Sequence, residues 1–247
     1  MKKEQATEED KGMRLNKYVA HAGIAARRKC DEYIKGGLVK VNGEVVLEPG
    51  HRVKEGDEVR YKNKIIQPIL NRVYILMNKP KNVITTLSDE KGRKTVMDIL
   101  ENKVKERIYP VGRLDRNTTG LLLLTNDGEL AKKLSHPSHK VKKIYHVELD
   151  KLVSDEHIQQ IAAGLTLEDG LAPVDKVSHV KNKPKNHVGI EIHIGRNRIV
   201  RRIFESLAYN VVRLDRVYYG GLTKKDLPRG WFRPLDEKEV IMLKHFV

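Results

Sequence analysis

The chain has 247 residues, 39% of them hydrophobic, enough for one medium domain with its own core plus a small companion. A formal charge of +15 favours a polyanionic partner, nucleic acid first, because each phosphate met by Lys or Arg releases a condensed counterion. No apolar run approaches the ~18 residues of a membrane span, the single Cys30 rules out an intramolecular disulfide, and no Cys/His cluster has zinc spacing, so a cytoplasmic protein without a metal is expected.

Residues 1–12 are polar, without apolar periodicity, and read as a mobile tail. From Met13, the residues Leu15, Tyr18, Val19 and Ala22 share one face of a helix that Gly23 ends. A second helix, Ala26 to Lys35, carries Arg27, Arg28 and Lys29, and Cys30 reads as a small packing residue. Strands around Val39–Val41 and Val45–Leu47 flank the hairpin signal Asn42-Gly43, and a further strand covers Glu58 to Tyr61. The basic triplet is either a solvated helix face or an RNA-binding surface. Residues 1–61 carry 13 Lys+Arg against 11 Asp+Glu, net +2, so residues 62–247 hold the other +13. Residues 62–71, with mixed charges and a proline, read as a linker, and a second domain runs from Arg72 to the end.

That domain begins with a strand, Val73 to Met77, running into Asn78-Lys79-Pro80, where Lys79 either lines a cleft or sits on a surface loop. Residues 88–94 read as an exposed loop and Val96–Leu100 as a short helix. Ile108–Val111 forms a strand ending at Gly112, and Leu121–Leu124, without polar alternation, suits a strand covered on both faces. The intervening loop, Arg113-Leu114-Asp115-Arg116-Asn117-Thr118-Thr119-Gly120, is thereby held at both ends by core. Asn126-Asp127-Gly128 then supplies a turn and a cap for a helix over Glu129–Leu134.

Val141, Tyr145, Val147 and Leu149 share one face of the next strand. Residues 151–187 hold one amphipathic helix, Ser154 to Ala163, and a basic loop, Lys181 to Lys185, which is a solvated charge run or an RNA contact. Ile190, Ile192 and Ile194 alternate as a strand, and Asn197 is placed to cap a helix carrying Ile199, Val200, Ile203, Phe204 and Leu207 inward. The closing segment, Trp231 to Leu235 and a short helix from Asp236 to Phe246, reads as packing.

The string GRLDRNTTGLLLLTNDG resembles the signature of the RNA pseudouridine synthases, in the branch that modifies ribosomal RNA. RLNKYVAHAGIAARR and GGLVKVNGEVV resemble the S4 RNA-binding module, with Ala26 in place of the usual serine. GRNRIVRRIFESLAYNVVRLDRVYYGGL resembles that family's third conserved segment, in a large-subunit rRNA version. Here Ile194 replaces the usual Glu, and Ile199 stands where a polar residue is common. The resemblance implies an α+β protein: an S4-like domain over 13–61 and a synthase domain over 72–247 on a large mixed, mainly antiparallel sheet. It implies Asp115 as catalytic nucleophile, Tyr145 as the residue stacking on the target base, and Arg201 as the nucleophile's basic partner. Leu214 would lie beneath the base, Lys79 would line the cleft, and Arg113 and Arg116 would meet phosphates flanking it. Arg27, Arg28 and Lys29 would face RNA.

The expected activity is isomerisation of a uridine in rRNA, large-subunit rRNA or an assembly intermediate for preference, by a monomer needing no cofactor. The competing class is a non-catalytic rRNA-binding assembly factor; basic charge and an S4-like module fit it equally. A glycoside hydrolase ranks far below, since no second acid accompanies Asp115 in the signature.

Overall fold

The computed structural model describes residues 12–69, 71–100 and 103–245. The expected tail, except Gly12, and Phe246 lie outside the described residues. The chain divides into two compact units, one up to Arg72 and one from Val73 on.

In the first unit, β1 (Met13–Arg14) leads into helices α1 (Leu15–His21) and α2 (Arg27–Lys35), followed by β2 (Val39–Val41), β3 (Glu44–Val45), β4 (Arg52–Val53), β5 (Val59–Tyr61) and β6 (Lys64–Ile65). Leu15 and Val19 of α1, and Cys30 and Ile34 of α2, are each one helical turn apart and fully buried against Val39, Val41, Val53 and Val59. Asn42 and Gly43 both take positive φ, as a two-residue hairpin turn demands. The segment expected as linker begins as sheet: Lys64 and Ile65 pair with Tyr61 and Arg60.

The second unit runs β7 (Tyr74–Lys79), α3 (Val96–Leu100), β8 (Tyr109–Pro110), β9 (Thr118–Thr125), α4 (Gly128–Ser135), β10 (Lys143–Leu149) and α5 (Asp155–Ala163). It continues with β11 (Leu165–Leu167), β12 (Gly170–Ala172), β13 (Lys176–His179), β14 (His187–Ile192), α6 (Ile199–Glu205), β15 (Val211–Tyr219), β16 (Leu222–Thr223), β17 (Phe232–Pro234) and α7 (Glu237–His245). Its main sheet has the order β13-β14-β10-β15-β9-β7-β17, with β8 on β9 and β16 on β15. All its pairings are antiparallel except β9 with β15, so the sheet is mixed and mainly antiparallel, as expected. No described helix is long and apolar enough to cross a membrane.

The leucine run explains why β9 is central. Leu122 and Leu124 enter the core on one face with Ile75, Met77, Tyr145 and Leu214. Leu121 and Leu123 enter the core on the other with Tyr74, Leu76 and Tyr219. All four leucines are fully buried, and each stabilises the sheet by roughly 2 kcal/mol.

Three expectations need correction. Asn197 does not cap α6: the N-cap is Arg198, in the left-handed region and without a side-chain cap bond. The β11–β12 hairpin and the nine-residue β15 carry no strand signal in the sequence, the latter because its charged residues obscure a two-residue period. Trp231, read as packing, is 66% exposed.

At the parallel pairing of β9 with β15 the two backbones approach closely. Gly120 has φ of +105°, and a Cβ there would lie 2.2 Å from the Arg216 carbonyl oxygen and 2.5 Å from its nitrogen. Both contacts are backbone, so no side-chain rotation relieves them. Gly120→Ala should therefore lower unfolding free energy by roughly 2–4 kcal/mol in urea titration, from strained φ plus overpacking. An unchanged midpoint would show that β9 and β15 can part there freely.

Candidate active site

The loop between β8 and β9 is fixed by bonds to its backbone. Val111 donates its N–H to Leu123 O at 2.7 Å, and Asn82 donates to Arg116 O at 2.9 Å. The Thr85 hydroxyl donates to Leu114 O at 2.8 Å and accepts from Leu114 N at 3.3 Å. Thr118 N–H closes the turn on Asp115 O at 3.0 Å. With Leu114 buried, the half-buried Asp115 stands between two anchored neighbours. Its carboxylate makes no hydrogen bond or ion pair among the described residues, whereas most other carboxylates of this unit have partners, and it faces a cavity of about 780 Å³.

Tyr145, Leu214, Arg113, Lys143 and Arg216 share that cavity's wall with Asp115. Three strands bring them together: Tyr145 on β10 is the cross-strand partner of Arg216 on β15, and Leu214 lies opposite both Val147 of β10 and Thr118 of β9. The far wall comes from 192–200 and from Leu171 of the β11–β12 hairpin, which Asp169 ties down by accepting from Arg196 and Arg202.

A carboxylate, a buried tyrosine ring and a cationic wall around one cavity suit an extruded nucleotide. The model of the RNA pseudouridylate synthase family matches residues 73–206, and that of the S4 domain matches residues 13–59. The chain belongs to the RNA pseudouridylate synthase family. Ribosomal large subunit pseudouridine synthase B of Bacillus subtilis (strain 168) is 42% identical over 234 residues, 94% of this chain and 95% of that protein. An uncharacterized RNA pseudouridine synthase of Aquifex aeolicus (strain VF5) is 39% identical over 94% of this chain and 93% of its own. A crystal structure of a pseudouridylate synthase, 28% identical, matches with a TM-score of 0.67 over 94% of this chain and 99% of that one.

Within this synthase the expected site residues divide by depth. Asp115, Tyr145, Leu214 and Arg113 line the cavity. Arg201 lies behind the wall, 7% exposed, donating through Nη1 to Val211 O at 3.0 Å while its Nε has no partner. Burial and then Arg198 lower its pKa, and Asp115 and then Glu205 oppose them. The two residues thus meet electrostatically, without a direct ion pair between them in the described residues. Arg116 is exposed beside the cavity and contributes its carbonyl to the loop's anchoring.

Lys79 is neither a cleft-lining residue nor a surface lysine. It is fully buried, and its Nζ donates to Val83 O at 2.6 Å and Pro80 O at 3.0 Å, with a longer contact to Arg116 O at 3.5 Å. It therefore staples the 80–83 turn under the Asp115 loop. The residues missed by sequence reasoning are Lys143, Arg216 and Tyr219. A signal for the first two existed: Lys143 is two residues from Tyr145, and Arg216 two from Leu214, the spacing of one strand face.

Burial, against the opposing charge of Asp115 and with the added repulsion of Arg229, brings the Lys79 amine down to about 8 from 10.5. The folded state then binds fewer protons than the unfolded state between those two values, so stability rises with pH across that window. Relative to Lys79→Met, the wild type should gain stability in urea titrations as pH goes from about 7.5 to about 10. A difference that stays constant would mean the amine is not desolvated.

Proposed function

We propose that this synthase converts a specific uridine of large-subunit ribosomal RNA to pseudouridine, with Asp115 as the nucleophile. The observation that carries the reading is the unpartnered Asp115 carboxylate, anchored at both flanks and facing the same cavity as Tyr145. The relative from Bacillus subtilis supports the choice of large-subunit RNA.

The reaction breaks the N1–C1′ bond and forms a C5–C1′ bond, while a proton leaves C5 and one is taken up at N1. Asp115 either attacks C1′ or promotes uracil departure with loss of the 2′ proton. Tyr145 stacks on the extruded base, a sequence-tolerant way to hold an unpaired ring. Leu214 lies beneath it, and Arg201, from behind, keeps Asp115 ionised as the pocket dries, since an opposite charge offsets desolvation. Exposed Arg113 and Arg116 meet the flanking phosphates. All of these groups come from one chain, so a single copy suffices.

RNA is gripped at a second place. Arg27, Arg28 and Lys29 are exposed together at the start of α2, with Arg27 Nε donating to Asn16 Oδ1 at 3.1 Å and Lys29 paired to Glu32. Replacing all three by Ala should flatten the slope of log affinity against log salt for a large-subunit rRNA fragment by about 2 to 3. An unchanged slope would assign this helix to folding or protein contacts.

Asp115→Asn keeps shape and removes the nucleophile. Tritium release from [5-³H]uridine rRNA should fall roughly a thousandfold or more, while RNA affinity stays near wild type. Retained turnover would overturn the nucleophile, and an inactive wild type that still binds rRNA would favour a clamp without chemistry.

A further inference from the structure

Among the described residues five buried side-chain polar atoms lack a partner, and two of them, Thr118 Oγ1 and Arg216 Nη2, belong to residues of the cavity wall. Arg216 is 3% exposed. Its Nε donates to Leu121 O at 2.7 Å, and its guanidinium lies over the Tyr219 ring, 4.5 Å from the centroid. The fork is thus fixed while Nη2 stays buried without a partner among the described residues, and an unpaired buried donor is costly unless a ligand completes it. Lys143 is on the same wall, two residues before Tyr145, with Nζ donating to His193 O at 2.8 Å and Val141 O at 3.0 Å. A lysine ammonium has three donors, so one remains. Lys143 lies two residues along β10 from Tyr145, the cross-strand partner of Arg216, and both cations line the cavity.

We propose that Arg216, with Lys143 beside it, donates to the C4 carbonyl of the uracil stacked on Tyr145 and so selects uracil over cytosine. This rests on the pseudouridine synthase reading of the cavity. The phosphates of a flipped nucleotide stay with the backbone at the mouth, where the exposed cations Arg113 and Arg198 lie. The buried donors meet the base instead. C4 is across the ring from N1, so with the ribose at Asp115 the C4 edge points inward, and Arg216 is the cross-strand neighbour of Tyr145. A wall of donors donates to O4 of uracil and meets the amino group of cytosine, itself a donor, with nothing to pair. The same contact survives the reaction: turning the ring about its N3–C6 axis exchanges N1 with C5 and O4 with O2. A carbonyl therefore faces Arg216 in both the substrate and product orientations.

The test crosses enzyme and substrate changes. Wild type, Arg216→Met and Arg216→Lys would be assayed in single turnover at saturating enzyme, on an rRNA fragment carrying either uridine or 4-thiouridine at the position that wild type converts. Sulfur is the poorer acceptor, so thio replacement should slow wild type by about tenfold. Arg216→Met should lose a similar factor on uridine and show no further loss on the thio substrate, because each change removes the same bond. Arg216→Lys keeps the charge without the fork and should behave like Met, which preserves the test if the Met variant does not fold. Losses that multiply, or a Met variant at the wild-type rate, would overturn this contact alone. A wild type that forms no pseudouridine from any rRNA would overturn the activity and the contact with it.

Discussion

Three residue pairs, Leu214 with Thr118, Asp215 with Thr119 and Arg216 with Gly120, join β15 to β9 in parallel across about a hundred residues of chain. Through them the loop carrying Asp115 and the strand carrying Leu214 and Arg216 come to share one cavity. The pairing is secured mainly on the face opposite the cavity. Asp215 accepts from Thr119 Oγ1 at 3.0 Å and from both Arg229 Nη atoms at 2.9 Å, and it pairs with Lys224. Burial alone would raise the Asp215 pKa, but the bonds from Arg229 and Lys224 hold it at about 2.

The tetrapeptide Arg-Leu-Asp-Arg occurs twice, at 113–116 and 213–216, with opposite outcomes. In the first copy the aspartate faces the cavity without a partner while its neighbours' carbonyls are tied down; in the second it is saturated with cations and the following arginine is buried. The difference comes from the flanks. Gly112 with positive φ and the turn closed by Thr118 lift the first copy out of the sheet, whereas the second lies within a nine-residue strand. Short motifs gain their chemistry from such context.

This contrast also marks how much of the fold and site was legible in the sequence. The leucine run, the Asn42-Gly43 turn and the Asp127 cap of α4, whose carboxylate accepts from Leu130 N at 3.1 Å, follow from local rules. The strand β15 did not, because its polar residues serve a cavity on one side and an ion-pair network on the other, which erases apolar alternation. The depths of Lys79 and Arg201 were equally hidden. A lysine after a strand reads as exposed, and only the turn at 80–83 shows that its amine has carbonyls to satisfy. Spacing puts Arg201 on one side of α6 with Arg198 and Arg202, yet Arg198 is exposed and Arg202 half-buried while Arg201 is buried and donates to Val211 O of β15.

Charge in this synthase is thus sorted by depth: Arg113 and Arg116 are exposed, Lys79, Arg201 and Arg216 are buried and donate to backbone carbonyls, and the Asp115 carboxylate faces the cavity without a partner among the described residues. The most direct test is a pseudouridine map at nucleotide resolution over all rRNA of the source organism, with the gene intact, deleted and restored. The account predicts that deletion removes a discrete pseudouridine in large-subunit rRNA, and that purified protein restores it on RNA from the deletion strain. Identical maps in all three strains, or a lost signal that the pure protein cannot restore, would contradict it.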